Sequence, residues 1–371
     1  MNLKRLSLAL FFTTTSACFF ALPGGPTGGG GGSAGGTGGG GSTGGGTGGG
    51  ATGGGTVNCG GGGTGSCSGV SLTSNGVLDF DIKRLELHGR LTLNGGMLPT
   101  ATRTRGFLVF SKDGHDDARL ALGTSGDFNY GVTLTPGEYT ISYQPADAFT
   151  VFSQSRLCAT DDVQDMPCNA GILREMSITA SGTLDFDLRS VRVTGGVTMN
   201  ASTVPMASGD RGALSFGLQR GGSARTRAFG PSGAPTYALH LLSGTYDVDY
   251  EGRGACAMGW PVPCNSGEIR SGASLTSSGA LDIDIPAVAL SGRVTQDNAM
   301  MPDGSGRGSL EFARVNEPAA TTSLPVSGAA TYDIVLLKGS YVITWRATPQ
   351  VCTGTNAPAH PCTSATVRGC P

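Results

Sequence analysis

Gly76-Val-Leu-Asp-Phe-Asp-Ile82 is written three times in this chain. It returns as Gly182-Thr-Leu-Asp-Phe-Asp-Leu188 and as Gly279-Ala-Leu-Asp-Ile-Asp-Ile285. Apolar side chains alternate with two aspartates, the period-two signature of a strand with one buried face. The copies recur about every 100 residues, so the repeating unit is a small domain and not a solenoid turn.

The same elements surround each copy. A short strand such as Val70–Thr73 enters a Ser74-Asn75-Gly76 turn, with Ala180-Ser181-Gly182 and Ser277-Ser278-Gly279 as counterparts. The aspartate strand is read as running on into Leu85-x-Leu87-x-Gly89-x-Leu91-Thr92, matched by Val191-x-Val193-x-Gly195-x-Val197-Thr198 and Val288-x-Leu290-x-Gly292-x-Val294-Thr295. Pro99, Pro205 and Pro302 close these strands. Gly106–Phe110, Gly212–Phe216 and Gly308–Phe312 follow. Then come Tyr130–Leu134, Tyr237–Leu241 and Tyr332–Leu336, and finally Gly-x-Tyr strands around Tyr139, Tyr246 and Tyr341. About seven short strands per 100 residues, punctuated by Gly, Pro and Asn, make an all-β chain of β-sandwiches.

The Gly-x-Val-Thr-x-Asn…Pro opening and the closing Leu-x-x-Gly-x-Tyr-x-Val resemble carboxypeptidase regulatory-like (transthyretin-like) domains, over about residues 85–145, 190–250 and 287–346. The resemblance implies seven-stranded, Ig-like sandwiches with no activity of their own, acting as stalks, spacers, assembly modules or carbohydrate binders. The Cys loops and the Leu-Asp-x-Asp strand depart from the short form of that family and read as an extension at each domain's start. The expected division is a signal peptide at 1–17, a Gly/Ser/Thr-rich tether at 18–66, sandwiches at 67–157, 158–255 and 256–351, and a C-terminal Cys loop at 352–371.

Lys4 and Arg5 precede the apolar run Leu6–Phe12, the pattern of a secretory leader, and too short to span a bilayer. Thr15-Ser16-Ala17-Cys18 resembles a bacterial lipobox, with Thr15 where Leu is usual. The resemblance implies lipidation of Cys18 and, with Phe19 and not Asp next, an outer-membrane address. Ordinary secretion with cleavage near Ala17 or Ala21 is the alternative. Residues 24–66 are almost all Gly, Thr and Ser, unable to bury enough apolar surface to offset their ordering entropy. A Gly-rich coil of that length spans about 35–40 Å, enough to lift a domain off a lipid surface. The Gly-x-Ser-x-Gly matches inside it follow no strand and open no helix, so they carry no chemistry.

Beyond Cys18, cysteines fall at Cys59/Cys67, Cys158/Cys168, Cys256/Cys264 and Cys352/Cys362, with Cys370 left over. Their phasing is tighter than that of the strand motif. In an exported chain this reads as disulfides. Nearest-neighbour pairing is favoured; pairing 67–158, 168–256 and 264–352, which staples the two ends of each unit, is the alternative. Spacing and ligand type do not fit zinc.

A formal net charge of −2 with 14% charged residues and no basic stripe gives no reason to expect nucleic acid. No Ser, Cys or Thr stands with a His and an acid in a repeated arrangement, and His115-Asp116-Asp117 is a lone turn cluster, so no enzyme activity and no cofactor are expected. The paired carboxylates Asp79/Asp81, Asp185/Asp187 and Asp282/Asp284 are the weak candidates for Ca²⁺. The simpler reading is outward charge that keeps a strand soluble and unpaired. Tyr139, Tyr246 and Tyr341 are expected to be buried corner tyrosines bonded to backbone. Trp260, inside the Cys256–Cys264 loop, is the candidate ligand contact. The leading expectation is a lipid-anchored surface protein serving as a structural or interaction stalk. The alternative is a carbohydrate- or protein-binding, adhesin-like module working through its loops.

Overall fold

The computed structural model describes residues 81–146, 156–157, 165–304, 307–314, 317–348, 361 and 363–366. The expected leader and tether, Cys18, Cys59, Cys67, Cys158, Cys352, Cys362, Cys370 and Asp79 lie outside the described residues. Every regular element described is a strand, and the strands form three successive two-layered sandwiches.

The first group is β1 (Leu85–Leu93), β2 (Phe107–Ser111), β3 (Ala118–Ala121), β4 (Phe128–Leu134), β5 (Gly137–Gln144), β6 (Arg156–Leu157), β7 (Gly171–Ile178), β8 (Gly182–Thr183) and β9 (Phe186–Leu188). The second is β10 (Ser190–Met199), β11 (Ser202–Thr203), β12 (Ala213–Leu218), β13 (Ser223–Arg225), β14 (Thr236–Leu242), β15 (Gly244–Glu251), β16 (Gly267–Leu275), β17 (Gly279–Ala280) and β18 (Ile283–Ile285). The third is β19 (Ala287–Arg293), β20 (Thr295–Gln296), β21 (Ala299–Met300), β22 (Ser309–Arg314), β23 (Ala320–Ser323), β24 (Thr331–Leu337), β25 (Tyr341–Arg346) and β26 (Ala365–Thr366).

In the first sandwich β4-β1-β8/β9 faces β3-β2-β5-β7. In the second, β14-β10-β17/β18 faces β16-β15-β12-β13, with β6 added at the far edge of the latter. In the third, β24-β19 faces β23-β22-β25-β26. The alternation predicted for the aspartate motif holds: Phe186 and Leu188 are buried on either side of exposed Asp187, and Ile283 and Ile285 flank Asp284 in the same way. Each sandwich has its own core. Leu91, Leu108, Phe110 and Ile141 centre the first, Val193, Leu214, Phe216 and Val248 the second, and Leu310, Phe312, Ile334 and Leu336 the third.

The pairing departs from the expected division at one point. The aspartate strand was expected to open its own unit and run on into the strand after it. It closes the unit before. β8 and β9 lie parallel against β1, with Phe186 opposite Leu91 and Leu188 opposite Leu93. β17 and β18 repeat this against β10, with Ile283 opposite Val197. Boundaries at 157/158 and 255/256 therefore cut through sheets. β7 likewise completes the first sandwich through β5, β16 the second through β15, and Ala365–Thr366 pairs with β25 of the third. The physical reason is burial: the Phe/Leu face of the motif seals the core of the sandwich already made, each such side chain worth about 1.5–3 kcal/mol out of water.

Candidate functional site

The repeated aspartates, cysteines and tyrosines converge on the junctions between consecutive sandwiches. At the first junction Asp185 accepts from Arg90 N–H at 2.7 Å, and Asp187 accepts from the Thr92 hydroxyl and Gly95 N–H, both at 2.8 Å. At the second, Asp282 accepts from Gly196 N–H at 2.8 Å, and Asp284 from Thr198 Oγ1 and Ala201 N–H at 2.7 Å each. The carboxylates are acceptors fixed on the partner strand and its hairpin turn, a role the sequence reading of solvent-facing charge did not foresee. Among the described residues no group of three or more His, Cys, Asp or Glu is arranged to hold a metal ion.

The turns they cap are tight. Asn94-Gly95 and Asn200-Ala201 sit at positive φ, between 51° and 74°, as does Asp297-Asn298 at the equivalent place in the third sandwich. Asn94 exchanges two hydrogen bonds with Ser190, and Asn200 does the same with Ala287, tying each turn to the start of the next sandwich. Tyr130 and Tyr237 donate to the Leu184 and Leu281 carbonyls of the closing strands. Burial, then the charge of Asp185, pushes the Tyr130 hydroxyl up to about 12; burial, then Asp282, raises Tyr237 as well. The closing strand passes so near that a Cβ on Gly89 or Gly195 would collide with those same carbonyl oxygens.

The Cys loops supply the second half of each junction. Cys256 and Cys264 form a disulfide with Cα atoms 5.1 Å apart, the nearest-neighbour pairing. Cys168 is also disulfide-bonded. The 256–264 loop reaches across to the third sandwich: Cys256 N–H donates to Thr321 O at 2.8 Å, Gly259 N–H to Asp333 O at 2.9 Å and Cys264 N–H to Val335 O at 3.1 Å. Both cysteines are buried in the third sandwich's core, and Cys168 is buried in the second's. β6, pairing with β13, makes the matching reach at the first junction.

The residue after Cys168 and after Cys264 is the clamp. Asn169 is fully buried; its amide accepts from Leu242 N–H at 2.9 Å and donates to the Tyr246 hydroxyl at 3.0 Å. Asn265 repeats both contacts with Leu337 N–H at 2.8 Å and Tyr341 at 2.9 Å. Tyr246 and Tyr341 in turn donate to Leu242 O and Leu337 O four residues earlier, as Tyr139 does to Thr135 O. These are corner tyrosines, as read, and two of them also receive the preceding unit. Trp260 is half-buried against the second core, with Arg253 4.8 Å above its ring.

A residue set the sequence reading passed over is Arg105, Arg211 and Arg307, buried at the same place in every unit just before the Gly-x-Leu-x-Phe strand. Arg211 donates to the carbonyls of Val204, Pro205, Gly230, Ser232 and Gly233. Arg105 does likewise with Leu98, Pro99, Leu122, Ser125 and Gly126. Their recurrence about every 100 residues was the available signal. A buried cation satisfied by carbonyls knits the loops over one end of the sandwich.

No family model matches the chain, and no curated protein sequence matches it. The likeness to carboxypeptidase regulatory-like domains thus stays an expectation from the residues alone. Among solved structures, the chain is similar to a leucine-rich repeat protein from Bacteroides thetaiotaomicron, at 15% identity over 55% of this chain and 26% of that one, with a TM-score of 0.19. It is similar to the Bacillus anthracis TIE protein, at 9% identity over 74% and 47% of the two chains, TM-score 0.19. It is also similar to a streptococcal ancillary pilin, at 10% identity over 77% and 96%, TM-score 0.21. The chain thus spans about a quarter and about half the length of the first two.

Proposed function

We propose that this is a non-enzymatic surface protein whose sandwiches form a tension-bearing stalk. The observation that carries the reading is the direction of the terminal strands. Among the described residues β1 and β9 are the first and last strands of the first sandwich, and they lie parallel; so do β10 and β18 in the second. Tension entering at the start of β1 and leaving at the end of β9 acts on opposite ends of one ladder. It shears all the inter-strand bonds together and cannot open them one at a time. The Asp185 and Asp187 contacts resist the same displacement.

Single-molecule stretching of the full chain from its two ends tests this. Two sandwiches are expected to rupture at high force. The third, which among the described residues lacks the parallel closing strand, is expected to rupture at lower force. Uniform low-force unfolding of all three overturns the reading.

The membrane address is the second half of the proposal. Lys4 to Cys18 support export and a lipid on Cys18, with the Gly-rich stretch as spacer. Labelled palmitate is expected in the wild-type chain and absent from Cys18→Ser. Equal labelling of both, or of neither, removes the anchor.

A further inference from the structure

Among the described residues one edge of β19 in the third sandwich has no partner strand, and the chain carries a third copy of the motif that covers that edge in the other two. In the first two sandwiches β1 and β10 have neighbours on both edges; among the described residues β19 pairs only with β24. Its other edge bears the marks of a missing strand. Val288 is 39% exposed where its counterpart Val191 is 4% exposed. Leu290 and Val294 are only half-buried, whereas Leu87, Leu91, Val193 and Val197 are buried. Gly292 stands where Gly89 and Gly195 make room for a closing strand. At Gly292 that room is taken by the Tyr332 hydroxyl, 2.6 Å from where a Cβ would lie. Tyr130 and Tyr237 bond to closing-strand carbonyls; Tyr332 has no such acceptor among the described residues. Thr295 and the Asp297-Asn298 turn match Thr92 and Thr198 and the turns that Asp187 and Asp284 cap.

The third copy of the motif in the sequence is Gly76–Ile82. Its described end is exposed: Ile82 is 78% exposed, against 0% for Leu188 and 1% for Ile285 at the same motif position. Only Lys83 and Arg84 separate it from β1, so it is tied to the first sandwich as β9 is tied to the second. We propose that Gly76–Ile82 of one chain adds to the open edge of β19 in a second copy. Phe80 would lie opposite Val294, Asp81 opposite Thr295 and Ile82 opposite Gln296, the register seen twice within the chain. The motif's own repetition names the occupant: a strand with the same alternation and the same two carboxylates is already seated at both equivalent edges. Two different surfaces meet in such a contact, so each addition leaves a new open edge and chains grow head to tail. A strand edge left bare is a standing template for such pairing.

The test uses the full chain carrying Cys18→Ser, so that lipid micelles cannot imitate assembly, with its disulfides formed. Sedimentation is expected to show mass rising with concentration. A synthetic peptide of residues Ser74–Ile82 added in excess is expected to return the chain to monomer, and a scrambled peptide to leave it assembled. Phe80→Asp, which spoils the donor, and Gly292→Val, which fills the acceptor, are each expected to be monomeric alone. Mixed, they are expected to give a one-to-one dimer and nothing larger, because one good donor and one good edge remain. Wild-type chain that stays monomeric at hundreds of micromolar overturns the proposal, as does assembly indifferent to the peptide and to Phe80→Asp. Peptide binding seen only after Phe80→Asp also overturns it, since the segment would then occupy its own chain. Should Gly292→Val fail to fold, peptide competition on the wild type decides.

Discussion

Asp249 is a carboxylate whose environment opposes its charge. It lies on β15 beside β16, partly buried, and its carboxyl is pushed up to about 6 by that burial and then by Glu268, Glu317, Asp247 and Glu251. Arg225 is engaged by Glu251, and Arg314 lies 3.4 Å from Glu317, so nearby cations are shared with other acids. A raised carboxyl pKa means the folded state holds the proton more tightly than the unfolded state. The folded chain then binds more protons between about pH 4 and pH 6, and stability falls as pH rises through that window. Above it the charged carboxylate is a constant penalty. Asp249→Asn is expected to raise stability at pH 7.5 by about 1 kcal/mol, discounted for partial exposure, and to give no gain at pH 4. Denaturant titrations of both proteins at the two pH values check it; equal gains at both would mean the effect is not charge. No feature of the sequence marked Asp249, because its burial and the two acids that act on it most, Glu268 of β16 and Glu317 of the loop after β22, come from tertiary packing.

At the scale of elements, the closing strand is expected to behave as part of the unit before it. Phe186 is buried against Leu91's strand and touches the rings of Phe110 and Tyr130. Phe186→Ala is expected to cost about 3–5 kcal/mol. Hydrogen exchange should place the loss in β1 and β4, with β12 and β15 of the second sandwich little changed. Loss confined to β10–β16 would contradict the assignment.

This is where sequence was least informative. Period-two alternation identified the strands, and repetition fixed the length of the unit. A tandem repeat leaves its phase open: a strand lying between two sandwiches in the chain has the same spacing to both. The aspartates were legible as strand-borne and outward. That they accept from Arg90, Thr92 and Gly95 depends on a parallel register that no local signal encodes. Asn169 and Asn265 each follow a Pro-Cys pair in the sequence, yet the part they play needed the facing Tyr246 and Tyr341. The corner tyrosines could be read ahead because their partner is the backbone four residues back, a contact carried within one short stretch.

Across the whole molecule, stability is unevenly distributed among the three sandwiches. Sandwiches one and two are each closed by a strand continuous with the next unit. Each also lends a loop to that unit, so Leu242 packs into the first core and Leu337 into the second. These shared cores couple neighbours, and loosening one unit weakens the unit before it. The third sandwich receives a loop from the second, but its β19 edge keeps Val288, Leu290 and Val294 partly in water. The apolar burial forgone there is on the order of 1–2 kcal/mol, which corresponds to about a tenfold change in an opening equilibrium. In dilute solution the β24 amides of Ile334 and Leu336 are therefore expected to exchange at least tenfold faster than the β14 amides of Leu239 and Leu241, which occupy equivalent positions. Protection should rise on β24, and not on β14, when the Ser74–Ile82 peptide is added. Equal protection in dilute solution would mean that β19 is already sealed from within the same chain, and the asymmetry on which both the stretching experiment and head-to-tail growth depend would be gone.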